Sequence, residues 1–127
     1  MTEAFATGDG ERIVRTYAAR VAPGEFEKAT TEARQMLLAN VPAMQLDYNS
    51  RRPAFTCDDA RRIGMPVLVL SGSRSAMGLQ RIAEAAARCI NGARFVSIPQ
   101  ATHWMQHDHA KAFNDAALTF LEGEATR

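Results

Sequence analysis

At 127 residues, with 46% apolar and 23% charged residues, the chain is ordinary globular sequence with room for one small core. Its 15 basic and 14 acidic residues are interspersed and sum to a net charge of +1, which leaves no electrostatic footprint for nucleic acid or an anionic membrane surface. The longest apolar runs, such as Val67 to Leu70, are too short to span a bilayer, and Met1 to Phe5 does not begin a basic-then-apolar leader.

A cytoplasmic protein without nucleic-acid or membrane partners is therefore expected. Two cysteines, Cys57 and Cys89, are too few and too far apart in sequence for a disulfide framework or a zinc site. The expectation is two reduced, buried thiols.

Residues 10 to about 62 carry helical signals and no strand signal. Glu11 to Val21 sets Ile13, Val14, Tyr17 and Val21 near one face, and Pro23-Gly24 ends that helix. A second helix is predicted from about Glu25 to Asn40, with Phe26, Ala29, Ala33, Met36, Leu37 and Asn40 on one stripe and Pro42 closing it. Ala43 to Tyr48 adds a short helical turn, and Arg51-Arg52-Pro53 reads as a loop. Thr56-Cys57-Asp58-Asp59 has the form of a capping box with Asp in place of Glu and opens a short helix to Ile63. Arg51-Arg52 and Arg61-Arg62 read as solvated surface.

The second half alternates strand and helix. Val67 to Leu70, bounded by Pro66 and Gly72, reads as a strand buried on both faces. A helix from about Met77 to Ile90 follows, with Leu79, Ile82, Ala83, Ala86 and Ile90 at helical spacing, and Asn91-Gly92 ends it. Arg94 to Ile98 is a second strand, Pro99 to Asp108 a loop, and His109 to Glu122 a closing helix with Phe113, Ala117, Phe120 and Leu121 as its apolar face. The fold class is α/β: two parallel strands joined by a right-handed crossover helix, preceded by helices. Parallel sheets need covered faces and further strands, so the rest of the sheet is expected in sequence outside the chain. The strand edge left open is then a site for self-association.

Three stretches resemble the C-terminal part of the α/β-hydrolase family, in its branch of esterases, lipases and carbon–carbon hydrolases. They are Ile63-Gly-Met-Pro-Val-Leu-Val-Leu-Ser-Gly72, Ala93-Arg-Phe-Val-Ser-Ile-Pro-Gln-Ala-Thr-His103, and Phe113-Asn114 through Thr119-Phe120-Leu121. The resemblance covers residues 63 to 121, while residues 10 to 62 match only the helical lid typical of the family. It implies a lid segment over 1–62 and a C-terminal strand-helix-strand-helix part over 63–127. It also implies a small organic substrate and no cofactor, and it makes His103, in the loop after the last strand, the general base of a serine-type site. The family position for the triad acid is occupied by Ser75, although some branches carry that acid on the preceding strand. The family nucleophile sits in a Gly-x-Ser-x-Gly elbow, and no such elbow occurs in this sequence.

His103, His107, Asp108 and His109 lie close in sequence and could suggest a metal. His103 and His107 would share a face only in a helix, which Pro99 and the loop composition oppose, so no metal is expected. His107 and His109 read as solvated, with Asp108 or His109 as the cap of the last helix. Trp104 and Met105 either wall a substrate pocket or pack beneath the loop. Met36, with Met44, Phe26 and Leu37, either lines a substrate site or forms core. Ser73 and Ser75 read as turn or capping residues. Three accounts of function stay open: a serine-type hydrolase of ester, amide or carbon–carbon bonds whose nucleophile lies outside this chain, a non-catalytic binding protein of the same fold, and a non-functional truncated gene product.

Overall fold

A computed structural model describes residues 1–50 and 53–125. The expected Arg51-Arg52 loop lies outside the described residues. The chain forms two compact units, Met1–Pro53 and Ala54–Arg127, so the short helix after Thr56 belongs to the second unit.

The first unit is helical. It contains α1 (Thr2–Ala6), α2 (Gly10–Val21), α3 (Glu25–Lys28), α4 (Thr31–Ala39) and α5 (Val41–Asn49). The Asp9 carboxylate caps α2 by accepting from the Arg12 N–H. Ile13, Val14, Ala18 and Val21 are buried along α2, each large aliphatic side chain contributing about 1.5–3 kcal/mol. Phe26 is buried, with the Arg15 and Arg34 guanidinium groups 4.8 and 5.4 Å from its ring centre.

The single helix expected from Glu25 to Asn40 is two. Ala29 is extended, with φ −64° and ψ 141°, and the Thr30 hydroxyl caps α4 by accepting from the Ala33 N–H. Threonine capping chemistry outweighs the helical stripe that runs through it. Pro42 does not close a helix but stands in the first turn of α5, where its missing N–H costs nothing. Of the expected stripe, Phe26 is buried and Met36 is 61% exposed.

In the second unit, Thr56 and Asp59 form the expected capping box of α6 (Cys57–Arg61). Arg61 and Arg62 are exposed and pair with Asp58 and Asp59. β1 (Leu68–Gly72), α7 (Met77–Cys89) and β2 (Arg94–Ile98) follow. The strands are parallel, in register from Leu68 opposite Arg94 to Gly72 opposite Ile98, and α7 is the crossover between them. The unit is therefore mixed α/β with a two-stranded parallel sheet. Gly92 takes φ 71° after α7, the left-handed turn for which Asn91-Gly92 is suited.

Alternation along the strands sends Leu70, Val96 and Ile98 to one face. There they pack with Ala101, Met105 and Phe113. The strand residues Leu68, Val69 and Leu70 are only half-buried, short of the two-sided burial expected for them, because few elements cover so small a sheet. Ile82, expected on the inner face of α7, is 67% exposed; the inward stripe is Leu79, Ala83, Ala86 and Ile90. The loop expected from Pro99 to Asp108 contains a short helix, α8 (Met105–Asp108). It forms because the Trp104 carbonyl accepts from the His107 and Asp108 N–H groups. The final helix, α9 (Ala110–Ala125), buries Phe120 and leaves Leu121 60% exposed.

The cysteines correct the sequence reading. Cys57 and Cys89 form a disulfide with Cα atoms 5.0 Å apart, within the usual span for such a bond. Cys57 is exposed and Cys89 half-buried. The sequence separation of 32 concealed the pairing because the crossover returns the end of α7 to the start of α6. Among the described residues, no helix is long and apolar enough to cross a membrane.

Candidate functional site

The candidate site lies at the carboxyl end of the strands, the edge at which open α/β sheets place their ligand crevices. Backbone contacts join the loops leaving β1 and β2 there. The Ser73 N–H donates to the Ile98 carbonyl at 3.0 Å, and the Arg74 N–H donates to the Ala101 carbonyl at 2.8 Å. In return the Gln100 N–H donates to Ser73 Oγ at 2.8 Å. Gln100 has φ 60°, a left-handed conformation that a non-glycine residue keeps only when its surroundings hold it there.

Gly72 makes this junction sterically feasible. A Cβ at that position would lie 2.2 Å from the Thr102 carbonyl oxygen and 2.4 Å from that of Ala101. The end of β1 therefore runs directly under the backbone that leads into His103. Ala101 and Thr102 are fully buried, and the chain emerges at His103, which is exposed in a turn.

Asp108 fixes the other side of the histidine turn. Its Oδ2 accepts the Thr102 N–H at 2.7 Å, and Thr102 Oγ1 accepts the Trp104 N–H at 3.1 Å. The Asp108 side chain is 7% exposed, and its Oδ1 faces His109 Nδ1 at 3.3 Å. Both of those atoms are buried without an aligned hydrogen bond, and the contact becomes ionic only when the imidazole is protonated. Burial raises the Asp108 carboxyl pKa, but the Thr102 backbone N–H, the Thr102 hydroxyl and adjacent His109 more than reverse it, leaving it below the ordinary aspartate value.

Each side chain singled out by sequence now has a place. His103 projects into solvent, and among the described residues no carboxylate pairs with its imidazole. Ser75 follows β1, is 5% exposed, and holds a buried hydroxyl without a hydrogen-bond partner. Trp104 is half-buried. Met105 is buried against Ile98 and Ala101, which is packing beneath the loop. Met36 is exposed on α4 of the first unit. His107 is exposed, whereas His109, expected to be solvated, is partly covered and lies against Asp108. Among the described residues no three His, Cys, Asp or Glu side chains are placed to hold a metal ion.

Sequence reasoning missed Gly72, Gln100 and the Thr102–Asp108 link. A buried acid a few residues beyond a strand-end histidine carries a weak local signal, because an aspartate beside a helix start also reads as a cap. No protein-family model matches the chain, and no curated protein matches it.

Proposed function

We propose that the chain is the C-terminal part of an α/β-hydrolase-type protein acting on an ester, amide or carbon–carbon bond of a small organic substrate. His103 is its general base, the helical unit Met1–Pro53 its lid segment, and the nucleophilic serine lies in sequence outside the chain. One observation carries this reading: an exposed histidine stands at the carboxyl end of β2, on a turn bonded on one side to the end of β1 and on the other to buried Asp108. A base so held can take the proton of a serine hydroxyl as that oxygen attacks a carbonyl, then return it to the leaving group. No cofactor enters that chemistry.

The second reading, a non-catalytic binding protein of the same fold, is favoured by a different observation. The position expected for the acid carries Ser75, whose hydroxyl is buried and unpaired, and a serine does not stabilise an imidazolium as a carboxylate does.

The two readings separate in the reading frame upstream of Met1 and in an esterase assay. Under the first, that frame encodes a strand followed by Gly-x-Ser-x-Gly. The 127-residue chain alone then leaves a short-chain nitrophenyl ester unhydrolysed, and joining it to the upstream part gives turnover. An upstream half with an intact fold and no such serine supports the binding protein, and a stop codon or unrelated sequence there contradicts both. The open outer edge of β1 also predicts self-association of the isolated chain. Sedimentation showing a monomer, with slow amide exchange across both strands, contradicts that part.

A further inference from the structure

The amino end of the sheet, opposite His103, carries a cleft of about 480 Å³. One wall is the segment after α6, with Arg61, Ile63 and Met65; the other is the turn between α7 and β2, with Asn91 and Arg94; Phe120 also lines it. The disulfide joins these walls at their roots, since Cys57 lies four residues before Arg61 and Cys89 two before Asn91.

The first wall has few other anchors. Within α6 only Ala60 is buried, and Met65 is 69% exposed. The segment therefore has little apolar burial to hold it once the covalent tie is cut.

We propose that Cys57–Cys89 is a reversible thiol–disulfide clamp on this cleft, closed when oxidised and released by low-molecular-weight thiols. Exposure decides the order of events. A small thiolate attacks Sγ of exposed Cys57, the sulfur–sulfur bond breaks, and half-buried Cys89 leaves as the thiolate and takes up a proton. A second small thiolate attacks the small-molecule sulfur of the mixed disulfide, forming the small disulfide and freeing Cys57, which is protonated in turn. Two small thiols become one disulfide, and the protein gains two electrons and two protons. Such bonds persist in oxidising surroundings and turn over in reducing ones.

The test uses the whole chain, purified without reductant and exposed to glutathione, then quenched with iodoacetamide for mass spectrometry. Early time points should carry glutathione on Cys57 and the alkyl group on Cys89. On full reduction, amide exchange over residues 57–66 should rise about tenfold or more while β1 and β2 change little. Cys57→Ser should match the reduced wild type with or without reductant. An adduct on Cys89, free thiols in the oxidised chain, unchanged exchange over 57–66, or equal acceleration throughout the second unit would each overturn the proposal.

Discussion

At the carboxyl end of the sheet the chain is held by its own backbone. The loops after β1 and β2 exchange hydrogen bonds, Gly72 passes beneath Ala101 and Thr102, and a buried carboxylate takes the Thr102 N–H. At the amino end one covalent bond ties α6, of which only Ala60 is buried, to the last residue of α7. The contrast locates rigidity: a reactive side chain can be fully exposed and still be positioned, provided the residues around it are not free to move. The turn that carries His103 meets that condition, and under the clamp proposal the α6 wall of the cleft does so only while the disulfide is intact.

The packing at the carboxyl end depends most on Gly72. Gly72→Ala places a methyl group on two carbonyl oxygens and should cost about 3 kcal/mol by urea unfolding, with large shifts in the amide spectrum of residues 100–104. A change below about 0.5 kcal/mol, the range of an ordinary surface site, would mean that the two loops are not pressed together.

Asp108→Asn should cost about 1–3 kcal/mol at neutral pH, as for hydrogen bonds to a buried charge. The sign with pH follows from the lowered pKa. The stabilisation is fully present above the unfolded aspartate value of about 3.9 and is lost as pH falls through the lower folded value. Stability curves of wild type and variant should therefore converge in acid; parallel curves would show that Asp108 is not charged against Thr102.

At the amino end of the unit, Thr56→Ala removes the capping box of α6 and should cost about 1 kcal/mol. It should cost more in the reduced chain than in the oxidised one, where the cross-link already holds the helix. Equal losses in both would remove the distinction drawn between the two ends. The smallest expected effect is Gln100→Gly, which releases the left-handed backbone and should be neutral or stabilising by less than about 1 kcal/mol. A clear loss would show that the Gln100 side chain holds the turn.

The elements were legible where a local pattern fixes them. The capping box at Thr56, the strand at Arg94–Ile98, the crossover helix and the Asn91-Gly92 stop depend on neighbours within a few residues. What escaped was either a competition between local signals or a contact between distant residues. Thr30 capping against a helical stripe is the first kind, and Pro42 as helix starter rather than stopper is another case of it. The Cys57–Cys89 bond, the approach of Gly72 to Thr102 and the inward turn of Asp108 are the second kind, because each depends on how α7 and α8 return the chain. At the candidate site, the place of His103 after the second strand was readable and its supports were not.

We propose His103 as a base held ready at the carboxyl edge of the sheet. Nitrophenyl ester hydrolysis by the protein extended upstream to the proposed serine elbow, comparing His103→Ala with His107→Ala and His109→Ala, tests that role. His103→Ala should lower kcat by about 10²–10⁴-fold, the usual worth of general acid–base catalysis, while the other two variants keep most of the activity. Full turnover by the His103→Ala protein would contradict it and leave this histidine as a surface residue on a well-supported turn.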